Sequence, residues 1–187
     1  MRWDSLFADL EAQLDAADDG AAGELGERVR AEVAGVHLRD RLRGARGQVL
    51  GLRLLGGARV DGRLRAAGPD WLLLEKPTGE ALVPLGVVTV VEGLPRALAA
   101  PAGPVEARLG LASVLRGVAR DRSAVRVALL GEALGVLTGT VDRVGADHLE
   151  VAQHPVDEPR RAGSVRSAVV VPLAALACVR RVGRPPG

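Results

Sequence analysis

Ala124-Val125-Arg126-Val127-Ala128-Leu129, then Gly131-Glu132, then Leu137-Thr138-Gly139-Thr140-Val141-Asp142: how this chain folds turns on that stretch. Val125, Val127 and Leu129 alternate with Ala124, Arg126 and Ala128, the period of a half-buried strand. Gly131-Glu132 marks a turn. Beyond it Leu137, Gly139 and Val141 form one face of a second strand, with Thr138, Thr140 and Asp142 on the other. A glycine inside a strand weakens it unless the backbone bends sharply there or another segment comes close. Gly145-Ala146-Asp147 supplies turn chemistry, and His148–Val151 reads as a third strand. A fourth runs into Val171-Pro172-Leu173, where proline's missing N–H ends ladder pairing. Ala177–Val182 is the fifth.

The same pattern occurs earlier in the chain. Leu42-Arg43-Gly44 returns as Leu115-Arg116-Gly117, 73 residues on, and Leu54-Leu55-Gly56 as Leu129-Leu130-Gly131, 75 on. Gly62 matches Gly139, and Gly68-x-Asp70-x-Leu72 matches Gly145-x-Asp147-x-Leu149, both at 77. Val83-Pro84-Leu85 matches Val171-Pro172-Leu173 at 88. The offset only grows along the chain, as insertions into loops require, and internal repeats of this kind define an architecture. The first copy's third and last strands are Trp71–Leu74 and Val87–Val91. A helical segment precedes each copy, Glu24–Arg46 and Val105–Arg120.

Five short strands behind a helix, twice, resemble the Sm-like and SH3-like small β-barrels, and also the C-terminal barrel of bacterial ribosome-maturation factors. Residues 48–94 and 123–182 carry the likeness. It implies an α+β, mainly β chain in which each sheet closes to manage its own edges. The expected organisation is a helical N-terminal region over 1–46, with a hinge near 18–23, and a first barrel over 47–95. A linker and helix over 96–122 lead to a second barrel over 123–183, with an enlarged basic loop at 152–168 and a tail at 184–187. Sm-like proteins bind single-stranded RNA through Asp-x-Φ-Asn on the third strand and an Arg-Gly near the fourth. Here those places hold Asp70-Trp71-Leu72-Leu73 and Asp147-His148-Leu149-Glu150, with Val-Pro-Leu in place of Arg-Gly. The Asn is missing from both copies, so no nucleotide pocket is carried over.

Composition bounds the rest. Of 187 residues 48% are hydrophobic, 26% charged and only 2% aromatic, a globular balance whose core must come from Val, Leu and Ala. No apolar run approaches the roughly 20 residues that span a bilayer, and no secretory signal is expected from Met1-Arg2-Trp3-Asp4. The single Cys178 fits a reducing cytoplasm and is expected to be a buried, inert thiol. Nearly all positive charge is Arg, Lys76 being the only lysine, which with so much Ala, Gly and Val reads as the mark of a GC-rich bacterium.

Charge is uneven. Residues 1–28 hold eight acids against Arg2 and Arg28, which leaves +8 on the rest of a chain of net charge +2. On that acidic segment Trp3, Phe7, Leu10 and Leu14 form an apolar helical seam. The seam either packs on its own barrel or docks on a protein partner or a second copy. A second candidate surface is basic: Arg160, Arg161 and Arg166 in the enlarged loop, with Arg180, Arg181 and Arg184 in the last strand and tail. These could hold RNA phosphates, or simply solvate an exposed hairpin beside Asp157-Glu158.

Nothing points to catalysis, a cofactor or a small-molecule substrate. His37, His148 and His154 fit no ligand spacing with Cys178. Gly51-x-x-x-x-Gly56-Gly57 lacks the Lys and Ser/Thr of a phosphate loop. Asp70 and Asp147 recur, but at turn positions where local backbone hydrogen bonding accounts for them. The expectation is a non-catalytic interaction adaptor or regulatory scaffold, with RNA binding as the alternative.

Overall fold

The computed structural model describes Arg30 and residues 33–98, 108–131, 135–155 and 165–182. The chain divides into two units, Met1–Leu38 and Arg39–Gly187. In the first, the Val36 amide donates to the Val33 carbonyl at 3.2 Å. The expected helix over Glu24–Arg46 is interrupted: Gly35 sits in a turn, Val36 and His37 are not helical, and helix α1 is Leu38–Gly44. The expected N-terminal hinge and seam lie outside the described residues.

Five strands follow α1: β1 (Val49–Leu54), β2 (Arg59–Ala67), β3 (Trp71–Lys76), β4 (Gly79–Pro84) and β5 (Val88–Glu92). Helix α2 (Leu111–Asp121) then precedes β6 (Ala124–Leu129), β7 (Val136–Val144), β8 (His148–Gln153), β9 (Ser167–Pro172) and β10 (Leu176–Arg181). Helix α2 starts after Gly110, which is held extended as its N-cap; the expected start of this segment at Val105 lies outside the described residues.

The ten described strands form one antiparallel sheet in the order β5-β1-β2-β3-β4-β10-β6-β7-β8-β9. This corrects the expectation of two separately closed barrels. The fourth strand of the first half does not return to its own fifth; it pairs with β10, Val179 opposite Leu82 and Arg180 opposite Ala81. The sheet is open, with β5 at one end and β9 at the other.

Within that sheet the halves repeat each other closely. The bulge between Leu64 and Ala66 of β2 recurs between Val141 and Arg143 of β7, both 77 residues on. The bulge that leaves Thr89 without an opposite residue recurs at Ala177. Leu55 N–H donates to Val87 O at 2.8 Å, and Leu130 N–H to Ala175 O at 2.9 Å. Pro84 and Pro172 end β4 and β9 as expected, each leading into one 3-10 turn. The mid-strand glycines are close-approach positions. A Cβ on Gly62 would lie 2.7 Å from the Glu75 carbonyl oxygen, and one on Gly139 only 1.9 Å from that of Ala152.

Two apolar clusters fill the sheet's inner faces, and each borrows from the other half. Leu42 of α1 and Ala45 just after it pack with Leu50, Leu52, Leu64, Leu72 and Val83, joined by Ala177 and Cys178 of β10. Leu111 and Leu115 of α2 pack with Val125, Val127, Leu149 and Val151, joined by Trp71 and Leu82. Burial of each such large side chain is worth about 1.5–3 kcal/mol.

Candidate interaction surfaces

The junction of β4 and β10 is built from main-chain pairing and a floor of apolar side chains. Beside it a groove of about 220 Å³ is lined by Leu73, Leu82, Val114, Val118 and Val179, with Glu80, Asp121 and Arg181 among its other walls. The Arg181 guanidinium donates to Asp121 of α2, and stands 4.0 Å from Glu80 of β4. One arginine thus bridges the last strand, the second helix and the fourth strand.

The two ends of the sheet are unlike one another. β5 pairs with β1 on one side and β9 with β8, and among the described residues neither has a second strand neighbour. Unpaired edges carry a row of main-chain donors and acceptors. Val90 on β5 and Val170 on β9 are large apolar side chains exposed there. Near the β5 end a charged network lies over Gly51, which stands opposite Glu92 and Asp61. Arg53 and Arg59 both pair with Glu92, at 2.8 and 2.9 Å, and Arg59 also grips Asp61 at 2.9 Å. The hydrogen bond to Asp61, followed by its charge and that of Glu92, raises the Arg59 pKa.

The sequence-derived site residues are placed as follows. Arg180 is exposed on β10, opposite Ala81 and Arg126. Arg181 is occupied by the two acids above. Arg166 is exposed just before β9, its amide bonded to Gln153 O at 2.9 Å. In the sheet, strands β6, β7 and β8 lie between β10 and the strand that follows Arg166. Trp3, Phe7, Leu10, Leu14, Arg160, Arg161 and Arg184 lie outside the described residues.

Three arrangements escaped sequence reasoning. The Asp70 carboxylate accepts the Leu111 amide at 2.8 Å, a cap supplied from 41 residues away rather than the local turn bonding expected. Beside it the Trp71 indole donates to Leu109 O at 2.6 Å. The third is a buried polar pair, Thr140 Oγ1 and His154 Nε2, 2.8 Å apart. His154 Nδ1 lies 2.7 Å from Pro155 O; a carbonyl only accepts, so Nδ1 carries the proton. Among the described residues no group of three or more His, Cys, Asp and Glu is placed to hold a metal, and no helix is long and apolar enough to cross a membrane.

Fold and surfaces together define a mainly β protein built on one open ten-stranded antiparallel sheet with two unlike ends. No family model matches the chain, and neither a curated protein nor a solved structure matches it.

Proposed function

We propose that this chain is a non-catalytic interaction scaffold: two copies of a small-barrel unit joined in one sheet, which engage protein strands at its ends. One observation carries the reading. Among the described residues β5 and β9 each present an unpaired edge with an exposed valine, Val90 or Val170, and such edges are templates for strand addition. The strand order and bulges common to both halves support the duplicated unit behind the Sm-like resemblance. RNA binding has less support, because Arg181 is already paired and Arg166 stands apart from it.

A photoreactive amino acid placed at Val90, at Val170 and at Val136 tests this in the full chain inside cells. Val136 is exposed on the interior strand β7 and serves as the reference. Protein adducts should form at the two edge positions and far less at Val136. Adducts to nucleic acid, or none at either edge, would overturn the reading.

A further inference from the structure

Gly51 and Arg126 occupy the same place in the two halves, yet the rows of side chains around them differ in charge. In the first half Glu92, Gly51 and Asp61 stand side by side on β5, β1 and β2; in the second the same row is Arg180, Arg126 and Thr138 on β10, β6 and β7. The first row is neutralised within the chain. Arg53 and Arg59 hold Glu92 between them at 2.8 and 2.9 Å, and Arg59 also pairs with Asp61. These ion pairs close over bare backbone: a Cβ on Gly51 would lie 3.0 Å from the Arg59 guanidinium and from Asp61 Oδ1. In the second half Arg180 and Thr138 stand where the acids were, and Ala128 and Val136 where Arg53 and Arg59 were. Arg126 and Arg180 are thus exposed, directly opposite one another and on one face. The acids of the flanking strands, Glu75 and Glu80, alternate onto the other face, beside Arg65 and Arg181. Among the described residues neither Arg126 nor Arg180 has an acid partner. Lys76 shares their face, since Leu74, two residues before it, stands opposite Ala81, and Ala81 opposite Arg180. Burial raises the Cys178 pKa, while Arg180 and, through its charge, Lys76 pull it down, so both cations lie within reach of one sulfur. Like charges directly opposite on neighbouring strands cost stability, and an anion between them removes that cost.

We infer that Arg126 and Arg180, with Lys76 beside them, form a binding site for a phosphate monoester group. The first half displays the principle internally, one oxyanion held between two guanidiniums on this face. A phosphate monoester suits three cations better than a carboxylate does. It brings about −1.5 to −2 of charge at pH 7 and three acceptor oxygens, and a guanidinium fork takes two such oxygens at once. Single-stranded nucleic acid suits the site less, because it needs exposed rings for its bases to stack on. Trp71, the one described indole, is buried. The group can arrive as a free phosphate ester or on a phosphorylated side chain of another protein, and both offer the same oxygens. β10 and β6 are interior strands, so the site is separate from the edges to which strand addition is assigned above.

Isothermal titration of the purified full chain tests this with four probes. They are inorganic phosphate, a phosphoserine peptide, the same peptide unphosphorylated, and a single-stranded oligoribonucleotide without a terminal phosphate. Phosphate or phosphopeptide should bind and the unphosphorylated peptide should not. Tighter binding of the phosphopeptide than of phosphate assigns the group to a protein partner; equal binding assigns it to a free ester. Arg126→Ser and Arg180→Ser should each weaken binding about tenfold or more, the loss of a charge-assisted hydrogen bond. Arg180→Glu separates the site from folding. It sets a carboxylate opposite Arg126, as in the first half, so the urea midpoint should rise while binding is lost. Added phosphate should raise the midpoint of the parent by mass action and leave that of Arg180→Glu unmoved. No binding of either phosphate probe, binding that survives Arg180→Glu, or tighter binding of the oligoribonucleotide would overturn the inference. None of these results bears on photoadducts at Val90 and Val170, which test the scaffold reading alone.

Discussion

Asp70 carries a load that its turn position does not advertise. Gly110, the N-cap of helix α2, has no side chain to cap it, and the Asp70 carboxylate takes the Leu111 amide instead. Removing a cap of this kind costs about 0.5–2 kcal/mol, so Asp70→Ala should lower the unfolding free energy by that much, read as a lower urea midpoint with the slope unchanged. Asp147, its repeat counterpart, bonds His148 Nδ1 at 2.8 Å and is otherwise exposed; Asp147→Ala should cost less. The hydrogen bond from His148, then the residue's own backbone amide, lowers the Asp147 pKa below the ordinary carboxylate value. A lowered folded value means the contribution is whole above the unfolded carboxylate range, and is lost as pH falls through the folded value. In an NMR titration His148→Ala should move the Asp147 midpoint back up. The glycine pair allows a graded comparison. Gly139→Ala drives a Cβ against the Ala152 carbonyl and should cost about 1–3 kcal/mol or more, whereas Gly62→Ala meets its carbonyl at a longer distance and should cost less.

At the scale of elements, the strands were legible because side-chain alternation and turn residues mark each one, and because a second copy repeats every mark. The matches at 73, 75, 77 and 88 residues fall on a helix, a hairpin, a bulged strand and a proline stop that the structure makes equivalent. Closure was misjudged for a physical reason: strand neighbours are held by main-chain bonds, which leave no trace in residue identity. A weaker trace did exist. β4 and β10 contain Ala81-Leu82-Val83-Pro84 and Leu176-Ala177-Cys178-Val179, buried without alternation, as strands covered on both faces are. The Asp70 cap was illegible because its partner lies 41 residues away. Cys178 follows from its strand: burial pushes the thiol pKa up, against a smaller lowering from Arg180. Since the thiolate is the reactive form, a thiol reagent should label the native chain scarcely at all and label it fully in denaturant. Rapid labelling of the folded chain would contradict the placement of β10.

For the whole Arg39–Gly187 unit, the decisive feature is that neither apolar cluster belongs to one half. Trp71 and Leu82 come from the first five strands and pack in the second cluster, while Ala177 and Cys178 come from the last strand and pack in the first. Loss of β10 therefore uncovers both, and two repeats that exchange side chains in this way cannot unfold separately. Leu176 is fully buried, and Leu176→Ala should cost about 2–5 kcal/mol. The prediction concerns the shape of the transition as much as its midpoint. In a Trp3→Phe background, Trp71 fluorescence reports a first-half residue seated in the second cluster, and far-ultraviolet circular dichroism reports the entire sheet. Both probes should trace one urea transition in the parent and one, shifted down, in Leu176→Ala. Two separated transitions would mean that the halves are independent bodies merely touching at β4 and β10.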